Sequence, residues 1–227
     1  MTGFDHNDRY HRLLLRQVPV GCRTALDVGC GTGRFARRLA ERGIVVDAVD
    51  RSATVIRAAR ARGEHPGLRF HHRDLVAAGP PGEGYDFISC LASLHHMPFA
   101  TLGMLRDALA PRGVLAVLGC HRDASVGDWM WSLAAVPVNA GARLALAGRA
   151  VLPSQRGGAL DQAGRTRRTR RTGRRGTAAE TVSAPVVEPR MTLEEIRREA
   201  ADPLPGFTLR RLLLWRHLLL YRAPTDH

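Results

Sequence analysis

Nine residues, Ala25-Leu-Asp-Val-Gly-Cys-Gly-Thr-Gly33, constrain this chain more than any other stretch. An apolar run takes in an acid, Asp27, and passes straight into glycines at alternate positions, Gly29, Gly31 and Gly33. Glycine enters positive φ freely and carries no Cβ, so the segment reads as a strand-to-helix turn that brings backbone up against a ligand. Ile44-Val-Val-Asp-Ala-Val-Asp50 repeats half of the pattern, a second buried strand that stops on an acid. Together the two outline a nucleoside pocket.

The glycines alone leave the ligand open. Gly31-Thr-Gly33-Arg-Phe-Ala36, with Asp50 downstream, also satisfies the loose Gly-x-Gly-x-x-Gly/Ala pattern of nicotinamide dinucleotide sites. In such a site the first glycine normally ends an uninterrupted apolar strand, whereas here Asp27 lies two residues before Gly29. Leaving a buried carboxylate unpaired costs several kcal/mol, so the position calls for a partner. A cationic ligand supplies one, and a pyrophosphate would be repelled. A local cap on the glycine turn is the plainer alternative.

Strand and helix signals alternate up to residue 120. A short helix over Arg9–Gln17 precedes strand one at Thr24–Val28, and Arg34–Arg42 forms the first crossover helix, stopped by Gly43. Strand two is Ile44–Val49, and Ser52 is placed to cap a helix running through Arg62. Strand three is Leu68–His72 and strand four Tyr85–Cys90. A helix over Thr101–Leu109 is then broken by Pro111-Arg-Gly113 ahead of strand five, Val114–Leu118. Short apolar runs separated by ten-residue amphipathic stretches imply a doubly wound parallel α/β sheet. Asp128–Leu152 reads as one or two apolar helices, and Gln155–Pro189 has turn composition without a core-forming run. Thr192-Leu-Glu-Glu195 is a capping-box pattern. Phe207–Trp215 and His217–Tyr221 follow as a tightly joined antiparallel pair. The expected organisation is one domain made of residues 1–152 and 191–227, interrupted by an Arg-rich insert at 153–190.

These motifs resemble those of the class I S-adenosylmethionine-dependent methyltransferases, whose architecture is five parallel strands closed by a terminal antiparallel pair, a seven-stranded Rossmann-like sheet. The likeness covers residues 24 to 120 well and the C-terminal pair loosely. It implies S-adenosylmethionine as cofactor, with its methionine part wrapped by Asp27, Gly29, Cys30, Gly31 and Gly33. By the same resemblance Asp50 accepts from the ribose hydroxyls, Arg51 flanks the adenine, and Asp74 and the Leu75 amide serve the adenine edge. The segment Leu91-Ala-Ser-Leu-His-His-Met-Pro98 is similar to the histidine-containing stretch after strand four in small-molecule methyltransferases. It puts Leu91 at the cofactor and His95 and His96 at the acceptor. Histidine titrates near neutrality and suits a base or orienting group. Tyr10 and His11 are further candidates for closing over the cofactor, and Trp129, Met130 and Trp131 for lining an acceptor pocket; ordinary packing accounts for each equally well.

Net charge is +13, and all 34 basic residues are arginine, which looks like GC-rich coding as much as a binding signal. The sharpest basic feature places seven arginines within residues 165–175, with no aromatic to stack a base. A solvated linker is the better reading, and a contact with nucleic acid or an anionic surface the alternative. No Asn-Pro-Pro-Tyr-like tetrapeptide follows strand four, so base N-methylation loses ground. Cys22, Cys30, Cys90 and Cys120 form no Cys-x-x-Cys pair and read as free thiols, with no metal site expected. The stretch Trp129–Leu152 carries Arg143, Arg149 and Pro137, so a membrane span is not expected. With a polar N-terminus, the expectation is a cytoplasmic enzyme acting on a small molecule. An RNA or protein methyltransferase docking through its arginines, or a non-catalytic cofactor-binding module, is the alternative.

Overall fold

The computed structural model describes residues 6–91, 94, 97–122, 189, 191–213 and 215–225. Seven strands form one sheet: β1 (Thr24–Val28), β2 (Val45–Asp50), β3 (Leu68–His72), β4 (Tyr85–Leu91), β5 (Leu109–Cys120), β6 (Thr208–Arg211) and β7 (Arg216–Arg222). Their spatial order is β3-β2-β1-β4-β5-β7-β6. The first five run parallel, and β7 pairs antiparallel with both β5 and β6. The expected doubly wound sheet with its antiparallel C-terminal pair is therefore present. Order reverses between β1 and β4, and in open α/β sheets ligands bind outside the carboxyl ends at such a switch point.

Six described helices flank the sheet: α1 (His6–Leu15), α2 (Arg34–Ala40), α3 (Ala53–Arg60), α4 (Leu75–Ala78), α5 (Thr101–Asp107) and α6 (Leu193–Ala201). Alternation along the strands divides the core into two layers, because successive side chains point to opposite faces. On one face Ala25, Val46, Phe87 and Val114 pack with Leu14 of α1 and Phe35 and Leu39 of α2. On the other, Leu26, Ile88, Leu115 and Tyr221 pack with Leu102 and Leu105 of α5 and Ile196 of α6.

Several local signals act as read. The Ser52 hydroxyl accepts from the Val55 amide at 3.4 Å, and Thr192 and Glu195 form a reciprocal capping box. The differences lie at element ends. β5 begins at Leu109, before Pro111-Arg-Gly113, which it absorbs as an irregularity with Arg112 at φ 63 and a register shift against Tyr85 and Phe87. β6 is shorter than expected, because it ends at Arg211 and the chain bends at Leu213 and turns at Trp215, which has φ 55. The helix α4 was not anticipated; it is a single turn capped by Asp74. All four cysteines are free thiols. No described helix is long and apolar enough to cross a membrane, and among the described residues no His, Cys, Asp or Glu cluster could hold a metal ion. The apolar stretch 128–152 and most of the Arg-rich insert fall outside the described residues.

Candidate functional site

The carboxyl ends of β1 and β2 are knitted together by the glycine turn. Gly29, Gly31 and Gly33 have φ of 66°, 55° and 75°, all in the left-handed region that side chains avoid. The Cys30 amide donates to the Val49 carbonyl at 3.0 Å, which seats the turn on the end of β2. Asp50 does more than end its strand. Its Oδ2 accepts from the Gly31 amide at 3.1 Å and its Oδ1 from the Ser52 amide at 2.9 Å, so one carboxylate fixes the loop and the entry to α3. Carboxylate oxygens have about four lone-pair sites, which leaves acceptor capacity for a ligand's hydroxyls.

The glycines differ in what surrounds them. A Cβ on Gly31 would meet nothing within 4 Å, so that face of the loop is open to an incoming group. A Cβ on Gly33 would lie 2.5 Å from the Phe70 ring. Gly33 therefore lets α2 approach β3 closely, the part taken by the last glycine in such turns. Arg37 stacks over the other partner in that contact, its guanidinium 5.4 Å from the Phe70 ring centroid, and donates to the Ala59 carbonyl at 2.7 Å.

Asp27 is 1% exposed and, by strand alternation, lies on the face covered by α1 and α2. Its Oδ1 accepts from the Ser89 hydroxyl at 2.8 Å, while Oδ2 is buried with no described residue at hydrogen-bonding distance, the Ala36 amide being the backbone donor that faces the carboxyl. Burial pushes the carboxyl up to about 7; Ser89 and the Ala36 backbone amide oppose the rise, and the Asp50 charge adds to it. Burial, followed by the Asp27 and Asp50 charges, likewise raises the Cys30 thiol, which stays protonated and is no nucleophile at neutral pH.

The remaining positions ring the same edge. Asp74 Oδ1 caps α4, accepting from the Val76 and Ala77 amides at 3.0 and 3.4 Å, and Leu75 beside it is buried. The Arg73 amide donates to the Asp50 carbonyl at 3.0 Å, which joins the ends of β2 and β3. Arg51 is exposed, and its carbonyl meets His72 Nε2 at 3.2 Å. Leu91 closes β4, half-buried. His95 and His96 lie outside the described residues, as do Trp129, Met130 and Trp131. Tyr10 is committed to the fold: its hydroxyl donates to the Leu213 carbonyl at 2.6 Å and ties α1 to the β6–β7 turn. The His11 ring sits 5.1 Å from that of Phe35, also in the layer over β1.

Two polar features escaped the sequence reading. Ser89 was the visible signal for the first, a lone hydroxyl inside the buried run Phe87–Cys90. The second is a cluster on the opposite face, where Asp47 accepts from Arg69 at 2.9 Å and Tyr85 at 3.0 Å and meets His71 Nε2 at 2.8 Å.

Comparison with known proteins bears on this arrangement. A family model described as a methyltransferase domain matches residues 25–113, the span from β1 into β5. An uncharacterized methyltransferase of Mycobacterium tuberculosis is 33% identical over 221 residues, covering 96% of each chain. A ubiquinone biosynthesis O-methyltransferase of Xylella fastidiosa is 33% identical over 114 residues, 47% of this chain and 46% of that one. Among solved structures, a DhpI–SAH complex superposes with a TM-score of 0.59 at 17% identity, covering 99% of this chain and 89% of the other, a likeness of fold.

Proposed function

The chain belongs to the class I S-adenosylmethionine-dependent methyltransferases, and from that premise we propose that its acceptor is a small molecule, methylated at an oxygen, nitrogen or carbon atom. The observation that carries the assignment of the site is Asp27: a buried carboxyl with one oxygen held and the other without a hydrogen bond, beside a loop whose Gly31 face is open. A ligand that presents an ammonium next to a nucleoside fits that donor set.

In this reading Asp27 takes the ammonium of the cofactor's methionine part, and Gly29, Cys30 and Gly31 offer backbone along it. Gly33 keeps α2 close enough to β3 for the loop to hold its shape. Asp50 accepts from the ribose hydroxyls while its amide partners keep it from turning away. Arg51 and Leu91 flank the adenosyl group, and Asp74 with the Leu75 amide reads the adenine edge. When bound, S-adenosylmethionine supplies a methyl group already activated by its sulfonium. The protein's share is then mainly to hold the acceptor atom in line and to exclude water, which is where most of the gain in such displacements arises. His95 or His96 would take a proton from a hydroxyl or ammonium acceptor, or orient it. The likeness of about half the chain to ubiquinone biosynthesis O-methyltransferases supports an acceptor of that size class.

Calorimetric titration with S-adenosylmethionine, S-adenosylhomocysteine and a reduced nicotinamide dinucleotide tests the site. Micromolar binding of the two adenosyl ligands, abolished by Asp50→Ala, is expected, with no heat from the dinucleotide. The acceptor class is tested by incubating the enzyme and methyl-labelled cofactor with fractionated cell extract. Label is expected in the small-molecule fraction, and label confined to RNA or protein overturns that part of the proposal.

A further inference from the structure

Ser89 is a polar residue in an otherwise apolar stretch of β4. It lies in the middle of a buried strand, 0% exposed, with Phe87, Ile88 and Cys90 around it. A hydroxyl there is costly unless it is bonded, and the apolar residues on either side fill the same strand without that cost. What the hydroxyl faces is Asp27: β1 and β4 pair in parallel with Asp27 opposite Ser89. Its single proton has two acceptors within reach, Asp27 Oδ1 at 2.8 Å and the Leu26 carbonyl at 3.4 Å. The shorter bond, to the carboxyl, wins.

We propose that Ser89 is a positioning residue for the cofactor, its hydroxyl pinning Oδ1 of Asp27 so that Oδ2 is held for the ammonium of the cofactor's amino-acid part. The inference rests on the reading of Asp27 given above. Pinning has two effects. It removes the rotation about the carboxyl that would let either oxygen drift, and it favours the ionised form that a cation needs as its partner. Among the described residues, the charged and titratable groups on the elements around Asp27 are these. Cys30 and Asp50 stand on the loop side, Arg34 and Arg37 on α2, and Tyr10 and His11 on α1. Of these, Arg34 is exposed and Arg37 is bound to Ala59 and Phe70. Ser89 is the side chain that hydrogen-bonds the carboxyl from the strand side.

The test compares two ligands that differ in the part Asp27 would hold: S-adenosylhomocysteine, which keeps the amino acid, and 5′-methylthioadenosine, which lacks it. Affinities of the full chain are measured by calorimetry from pH 5.5 to 7.5, below the range in which the ligand's own amine titrates. In the wild type, affinity for S-adenosylhomocysteine should rise with pH as Asp27 ionises. Ser89→Ala should lose about tenfold in that affinity near pH 6.5 and shift the rise to higher pH. Affinity for 5′-methylthioadenosine should not change, and Ser89→Cys, a weaker donor of similar size, should fall between. Equal losses for both ligands at every pH would reduce Ser89 to packing and overturn the proposal, as would no loss at all. Asp27→Asn separates the two levels. If it binds S-adenosylhomocysteine as the wild type does, the reading of Asp27 itself has failed; if it binds weakly while Ser89→Ala binds normally, only the role of Ser89 has. Should Ser89→Ala fail to fold, Ser89→Cys carries the same comparison.

Discussion

Asp27 and Asp47 are both buried carboxyls in neighbouring strands, and they are treated in opposite ways. Asp47, in the middle of β2, lies on the α5 side of the sheet and is surrounded by partners: Arg69 through two nitrogens, His71, and the Tyr85 hydroxyl. Burial alone would raise its pKa, but His71, Tyr85 and Arg69 together outweigh it and hold the carboxyl below its ordinary range. Asp27, near the end of β1 on the α2 side, has one side-chain donor and an unfilled oxygen, and burial wins. On the proposed reading, the difference separates a group that serves the fold from one held in readiness for a ligand. A carboxylate whose partners come from its own chain ties strands together. One whose second partner is missing is a cost the fold carries until a ligand arrives.

Exchanging either acid for its amide should separate the two roles. Asp27→Asn keeps an acceptor for Ser89 but removes the charge, and cofactor affinity should fall about a hundredfold, the scale of truncating one side of a buried charge pair. The unliganded protein should melt no lower than the wild type at pH 7.5. Asp47→Asn should do the reverse. Affinity for S-adenosylhomocysteine should stay within about threefold, while chemical denaturation should show a loss of about 2 kcal/mol, because the three side chains around it lose a charged acceptor. Arg69 is largely exposed, so its share of that loss is small. Cofactor binding crippled by Asp47→Asn and spared by Asp27→Asn would dissolve the distinction.

The same contrast sets the pH dependence of the unliganded chain. The folded-state pKa of Asp27 is raised above the unfolded value, from 3.8 to about 7, so the folded state binds the proton more tightly. Stability from this group is therefore full below about pH 4 and is lost as pH rises towards 7, by roughly 2–4 kcal/mol in total. For Asp47 the folded pKa is depressed, so its contribution is present above the ordinary carboxylate range and disappears as pH falls through it. Melting temperatures from pH 3 to 8 should fall at both ends. Asp27→Asn should flatten the upper limb, as should saturating S-adenosylmethionine, and Asp47→Asn should flatten the lower one.

How much of this could be read beforehand follows from where each signal is stored. The glycine turn, Asp27, Asp50 and the strand succession are local in sequence, and they were legible because positive φ and alternation leave marks on single residues and short windows. Ser89, the Asp47 cluster and the packing of Phe70 on Gly33 depend on register between strands 22 to 62 residues apart, which no window contains. Ser89 stood out as a polar residue in a buried strand, but only the pairing of β1 with β4 tells what it touches. Element ends moved by a few residues because Pro111-Arg-Gly113, read as a break, is absorbed into β5 as a register shift. The acceptor side was least legible: its reading rests on His95, His96 and the stretch after Cys120, of which the first two and most of the third lie outside the described residues.

Within the loop itself the same division between fold and readiness narrows to a pair of glycines. Gly31 and Gly33 share a positive φ, so alanine at either should cost about 1 kcal/mol through backbone strain. They differ in surroundings, since a new Cβ has open space at Gly31 and meets the Phe70 ring at Gly33. Gly33→Ala should therefore lose a further 1–2 kcal/mol of stability by overpacking, recovered in part by Phe70→Leu. Gly31→Ala should cost only the strain, yet weaken S-adenosylhomocysteine binding by about tenfold, because its methyl group would stand where a ligand comes against the loop. Denaturation and calorimetry on the two variants, with the Phe70→Leu double variant as control, read both quantities. Equal losses of affinity at the two positions would mean that the open face of Gly31 does not mark the place of the ligand.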